Sequence, residues 1–399
     1  MTVNPSILTW ARVTAGLPLD QAATALGFKD SRKRSGSERL AALESGEEEV
    51  SRGVLLNMVK KYRRPLLVFY LSEPPPKGDR GQDFRTAPNM PPPQFDPTLD
   101  ALIRNVKGRQ SIVRSLLEDI DAEIVDFIGS ATTAVPAVEV ANRIVTRLGF
   151  SLQEFRRQSD VSRAFTYLRT KVEAAGIFVL LLGNLGSHHS KISAETFRGF
   201  AISDPLAPFV VVNDQDARPA WSFTTLHEVA HLWLGTTGVS GSGMEAQIER
   251  YCNDVAGEIL FPASEVARLA HIRQANLEAA IEAISQFANS AKISRAMVAY
   301  KLFRAGIFNQ SMWSGLRDHF SREYLESKTR QEGHEGADSG PSYYVVKRHR
   351  LGAALLELVG HSLAEGILTP AKAGQVLGVK PRNVDPLLHA QAAPFGREF

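Results

Sequence analysis

The chain's capacity for chemistry is concentrated in His227-Glu228-Val229-Ala230-His231, inside the segment TTLHEVAHLWLG. On a helix, histidines four residues apart lie one turn apart on one face, where both imidazoles can grip a single ion. Zinc accepts two neutral imidazole nitrogens and a carboxylate in a tetrahedral set and leaves its fourth position to water, whose pKa it lowers to about 7. Glu228, beside the first histidine, is placed to take that water's proton as it attacks a carbonyl. The constellation therefore describes metal-assisted hydrolysis, with His227 and His231 as ligands and Glu228 as the base. The competing account is an amphipathic helix with two satisfied histidines, and a third ligand would separate the two.

That ligand should come from a second helix turned towards the first, and SGSGMEAQIERYCNDVAGEILFP supplies one. Ser242 and Glu245 form an S-x-x-E capping box, so the spacing predicts a helix that starts there and stops before Pro262. Glu245 is spent on the cap and sits in a fraying first turn. Glu249 lies one turn further in on the same face, whereas Glu258 faces the opposite way at about 100° per residue. Glu249 is the preferred third ligand and Glu245 the fallback. A donor for the developing oxyanion is also needed. Tyr251, His271, Tyr300 and Arg304 are available by type, each as readily structural, and none is assigned. His188 and His189, in GNLGSHHSK, read as exposed loop residues, and Cys252 as a small buried residue.

The elements that must position these groups divide the chain. Residues 1–72 read as short helices punctuated by Gly16, Gly27 and Gly46, and residues 73–97 as a proline-rich linker. Residues 98–326 form the domain that holds the histidines: helices to about 175, a buried strand in GIFVLLLG, two further strands in FRGFAIS and APFVVVND joined through SDP, then helices again. Residues 327–342 read as a polar linker and 343–399 as a helical tail. The fold class is α+β and mostly helical, with a small β-sheet packed on helices. An extended peptide could pair with PFVVVND as an exposed edge strand and so present one carbonyl to the metal.

Composition sets the class. A chain of 399 residues with 44% apolar content can build two or three globular domains, each with its own core. The 46 basic residues stand against 43 acidic ones, a net +3 that identifies no nucleic-acid partner, so any basic footprint must be local. One cysteine excludes an internal disulfide framework and fits a reducing compartment. The opening MTVNPSILTWARVTAG lacks a long apolar core, and no stretch approaches the roughly 20 apolar residues of a membrane span. The expectation is a cytoplasmic protein with no membrane partner.

Residues 19–46, LDQAATALGFKDSRKRSGSERLAALESG, have the outline of a helix-turn-helix, with a first helix ending at Gly27 and a second beginning near Ser37. The intervening KDSRKRSG is longer than the three or four residues of a DNA reader, and ESGEEE sets glutamates beside the candidate recognition helix. Lys29, Arg32, Lys33 and Arg34 could contact phosphates or form a solvated loop. DNA binding and docking of a protein partner both remain open for these helices. In the tail, LTPAKAGQVLGVKPRNVDPLL repeats the outline, with Thr369 as N-cap, Gly378 in the turn, and Arg382 and Asn383 facing outward; a plain helical hairpin fits it equally.

At FRGFAIS, PFVVVND, WSFTTLHEVAHLWLG, IERYCNDVAGEILFP and KISRAMVAYKLFRAG the chain resembles the ImmA/IrrE family of zinc metallopeptidases, a likeness that covers residues 176–307. Its front end, with YRRPLLVFYLSEPP and Asp83 to Arg85, is similar to the helix-turn-helix region of longer members. The resemblance implies a zincin-like domain with His227 and His231 as zinc ligands, Glu228 as base, and Glu249 of an E-x-x-[AC]-N pattern completing the site; Cys252 stands where that pattern often has alanine. It further implies cleavage of a partner helix-turn-helix transcriptional repressor, which would release genes in a stress or mobile-element response. The alternative from another class is a DNA-binding transcriptional regulator that keeps zinc for folding, and a metal-dependent hydrolase of a non-peptide amide is a third reading.

Overall fold

The protein is represented by a computed structural model that describes residues 3–32, 34–75, 96–186, 190–236, 242–334 and 342–390, with the backbone alone at 242–246 and 328–334. These residues separate into two compact units, up to Asn105 and from Val106 onward. No helix among them is long and apolar enough to cross a membrane.

The N-terminal unit is built from α1 (Pro5–Thr14), α2 (Leu19–Leu26), α3 (Gly36–Ser45), α4 (Arg52–Lys61) and a 3-10 turn at Leu66–Tyr70, followed by the first turns of α5 (Pro97–Asp119). Their starts are written locally: Asn4 accepts from Ser6 N, Ser51 accepts from Val54 N, and Ser35 with Glu38 forms a reciprocal capping box. Ile7, Leu8, Leu40, Met58, Tyr62 and Phe69 fill the core, and the Arg12 guanidinium forks onto Glu44 at 2.8 and 2.9 Å to tie α1 to α3. Between α2 and α3 the chain takes residues 27–35, so the connection is long, as expected, and α3 begins one residue before Ser37. Arg34 pairs with Glu48 and lies 3.8 Å from Glu47, Lys29 and Arg32 are exposed, and Lys33 lies outside the described residues. Most of the expected 73–97 linker, with Asp83 to Arg85, lies outside them too.

The second unit is organised by a three-stranded sheet of β1 (Phe178–Leu181), β2 (Gly199–Ile202) and β3 (Phe209–Val212) in the order β1-β3-β2. β1 runs parallel to β3, with Phe178 opposite Phe209; β2 runs antiparallel, with Gly199 opposite Val212. This corrects one expectation. PFVVVND is not an edge but the central strand, fully buried, its ladder engaged on one side by β1 and on the other by β2. A continuous apolar run suits a strand covered on both faces and says nothing about its neighbours. The turn before β3 is fixed by Asp204, whose carboxylate accepts from Leu206 N and Ala207 N at 2.9 and 2.8 Å.

Helices cover the sheet. α6 (Ala137–Leu148), α7 (Leu152–Arg157) and α8 (Val161–Ala174) precede it; α9 (Arg218–Leu234) lies on β2 and β3, and α10 (Ser242–Leu260) packs on α9 and α6. α11 (Ala263–Arg268), α12 (Leu277–Ala291), α13 (Arg295–Arg304) and α14 (Gln310–His334) follow, the last continuing into the segment expected as the 327–342 linker, which has no proline before residue 341 to stop it. α15 (Tyr343–Leu351), α16 (Ala353–Ala364), α17 (Pro370–Leu377) and α18 (Val384–His389) close the unit, with α15 against β1 and α16 against α8. A buried pair fixes that docking: Arg169 meets Glu173 at 2.9 Å and donates to the carbonyl of His349, while Glu173 accepts from Ala353 N at 3.1 Å at the start of α16. In the tail, Thr369 caps α17 and Gly378 closes it at φ 63°, with Arg382 exposed and Asn383 half-buried.

Candidate metal centre

α9 is wrapped by the sheet on one side and by α8 and α10 on the other, so nearly every residue from Ala220 to Trp233 is buried, polar ones included. The chain stops it at Gly235, in the left-handed region at φ 61°, where a side chain would also strike Gly129. Helical spacing brings the two imidazoles together: His227 Nε2 and His231 Nε2 stand 3.0 Å apart. α10 adds the carboxylate of Glu249, with Oε2 3.3 Å from His227 Nε2 and Oε1 3.3 Å from His231 Nε2. Donors tetrahedrally arranged about zinc at roughly 2.0–2.1 Å stand about 3.3–3.4 Å from one another. Two imidazoles and a carboxylate at these separations fit such an ion, and the three residues form a group able to hold a metal. The His231 ring is steadied by Thr236, whose Oγ1 lies 3.4 Å from Nδ1. The imidazoles are almost wholly buried, whereas the Glu249 side chain keeps 30% exposure, so solvent reaches the cluster from the α10 side.

Glu228 is 1% exposed, turned towards the sheet rather than to water. It meets β2 at Gly199, where a Cβ would fall 2.8 Å from Glu228 Oε1 and 2.6 Å from the Thr224 methyl carbon. Glycine is required there by close approach of strand and helix. The sequence reading missed this residue, although a glycine inside the apolar FRGFAIS is the signal that marks such contacts.

The other candidates are placed elsewhere. Glu258 accepts from Ala263 N at 3.1 Å and meets Lys301 at 3.1 Å, away from the imidazoles as its helical angle required. α10 begins at Ser242 as expected; the side chains of Ser242 and Glu245 lie outside the described residues, as do His188 and His189. Tyr251 donates to Val135 O at 2.7 Å, and burial pushes its phenol up. His271 Nδ1 lies 2.9 Å from Arg268 O, and Arg304 donates to Tyr300 Oη at 3.1 Å. Cys252 is fully buried in the core.

Residues 177–303 match the family model Peptidase_M78, described as the IrrE N-terminal-like domain. Over this stretch the chain is similar to the IrrE N-terminal-like domain. This IrrE-like domain takes in the whole sheet, α9 and α10 with the histidine and glutamate cluster, and all but the last residue of α13. It does not extend to the N-terminal helices. Comparison with curated proteins and with solved structures gives no match.

Proposed function

We propose that the chain is a zinc-dependent metalloendopeptidase in which His227, His231 and Glu249 hold the ion and Glu228 is the general base. The observation that carries this reading is the set of three side chains on two packed helices, two imidazole nitrogens 3.0 Å apart and a carboxylate with one oxygen 3.3 Å from each, with a buried carboxylate beside the first histidine. Zinc, when bound by these three residues, would supply Lewis acidity to a water and to the scissile carbonyl. Glu228 takes the proton of the attacking water and later delivers it to the leaving amine.

The substrate backbone is held by β2. Asn213 N donates to Arg198 O at 2.8 Å, which makes that opposed pair a hydrogen-bonded one. Bonded pairs alternate in an antiparallel ladder, so Gly199 and Ala201 turn their N–H and C=O groups away from β3, towards the side on which no described strand pairs with β2. An extended peptide adds there, alongside the Glu228 carboxylate. The substrate is a partner helix-turn-helix transcriptional repressor, whose cleavage relieves repression in a stress or mobile-element response; the resemblance to the ImmA/IrrE family supports that class.

The test is incubation of the zinc-loaded protein with purified helix-turn-helix repressors from the same genome, read by mass spectrometry. Glu228→Gln keeps the metal and lowers cleavage by about a hundredfold or more. Ala201→Pro removes one outward N–H without touching the β3 ladder and impairs cleavage more than metal binding. Cleavage unchanged in Glu228→Gln would overturn the enzyme reading in favour of a regulator with structural zinc.

A further inference from the structure

A cavity of about 490 Å3 opens beside the cluster, between α10, the Ala263–Gln274 segment and α13. Sites that take organic groups span about 300–1,000 Å3. Phe223, Val266 and Met297 give it apolar walls, and its charged lining is Asp254, Arg273, Lys301 and Arg304. Asn253 lines it too, and its buried amide oxygen has no hydrogen-bond partner among the described residues. The position follows from helix geometry. Phe223 stands one turn before His227, with ring centroids 6.4 Å apart, and Asn253 stands one turn after Glu249. One turn rises about 5.4 Å, and successive residues of an extended peptide are about 3.3–3.4 Å apart. A peptide with its scissile carbonyl at the cluster therefore reaches the cavity with the side chain of an adjoining residue.

We infer that this cavity is a specificity subsite, which seats a bulky apolar side chain next to the scissile bond and rejects lysine and arginine. The inference rests on the peptidase reading above. The apolar walls reward leucine, methionine or phenylalanine over alanine, a difference of about tenfold or more in kcat/KM. Of the cations in the wall, Arg304 faces Asp254 at 3.8 Å and Lys301 faces Glu258 at 3.1 Å, so Arg273 carries the like charge set against a basic side chain. The Asn253 oxygen accepts an N–H of the bound peptide.

The zinc-loaded protein is incubated with a library of unstructured peptides and the cut ends are sequenced by mass spectrometry. The residue adjoining the cut is expected to be enriched about tenfold or more in leucine, methionine and phenylalanine over alanine, with lysine and arginine depleted. Ala267 is an exposed residue of the cavity wall. Ala267→Trp should lower kcat/KM for bulky peptides about tenfold and change it less than about twofold for alanine peptides. Should that variant fail to fold, Arg273→Glu, also on the surface, should raise cutting beside lysine about tenfold. A flat preference, or one that neither variant moves, overturns the subsite. In parallel, N-acetyl-phenylalaninamide is titrated into the metal-free protein and followed by ligand-observed NMR, with binding expected in the wild type and in Glu228→Gln and lost in Ala267→Trp. Binding without any Glu228-dependent cutting overturns the peptidase reading and the subsite's role with it; cutting without side-chain preference overturns the subsite alone.

Discussion

In the N-terminal unit the polar groups of α3 have partners in the protein: Ser35 and Glu38 satisfy the first turn's own backbone, Arg34 beyond them meets Glu48, and the one buried carboxylate, Glu44, is matched by Arg12. α9 holds a whole run of polar groups out of water. Ser222, Thr224, Thr225, His227, Glu228 and His231 are all at or below 1% exposure. A capping side chain completes hydrogen bonds that its own helix leaves open, and its reason is local. Burying imidazoles and a carboxylate costs several kcal/mol unless partners or an ion compensate. The contrast shows that a polar residue without a local backbone duty, held out of water, is the one to examine for chemistry.

Substitutions in the two helices should separate along that line. Glu249→Ala leaves two ligands, and zinc affinity should fall about a hundredfold or more with cleavage lost, measured by metal analysis and equilibrium dialysis; full zinc retention would remove Glu249 from the site. Gly199→Val forces a side chain into Thr224 and Glu228 and should cost about 1–3 kcal/mol in denaturant unfolding while depressing activity. His349, held down at about 4 by burial with Arg169, Arg218 and Arg350 adding, stays neutral in the folded protein. Because that folded value lies below the unfolded one of about 6.5, stability is intact above pH 6.5, falls as the pH drops from about 6.5 to about 4 and levels off below, a loss of order 3 kcal/mol. His349→Gln should flatten that acid limb in a melting-temperature series, and an unchanged limb would assign it to other groups. Smallest of all, Ser35→Ala should cost about 1 kcal/mol and leave metal content and cleavage untouched.

Much of the site was legible because its parts are local. The histidine spacing follows from 3.6 residues per turn, and the same period ranked Glu249 above Glu258. Strand positions were legible from the apolar runs around Val179 and Val211. The role of PFVVVND was not, since a run that is apolar throughout is compatible with any neighbour order. Tyr251 could not be excluded as an oxyanion donor from its type; only its bond to Val135 O, 116 residues away, shows where its hydroxyl is spent.

The sequence by itself determined the two helices that carry the cluster, the caps that start the N-terminal helices, and the residue types a metal would require, because each depends on neighbours within a turn or two. Tertiary structure decided that Glu249 reaches both imidazoles, that β2 rather than β3 is the edge beside Glu228, and that a cavity opens one turn from the cluster. Those facts depend on contacts between segments far apart in the chain, which only the packed core selects from the many pairings that local preference allows.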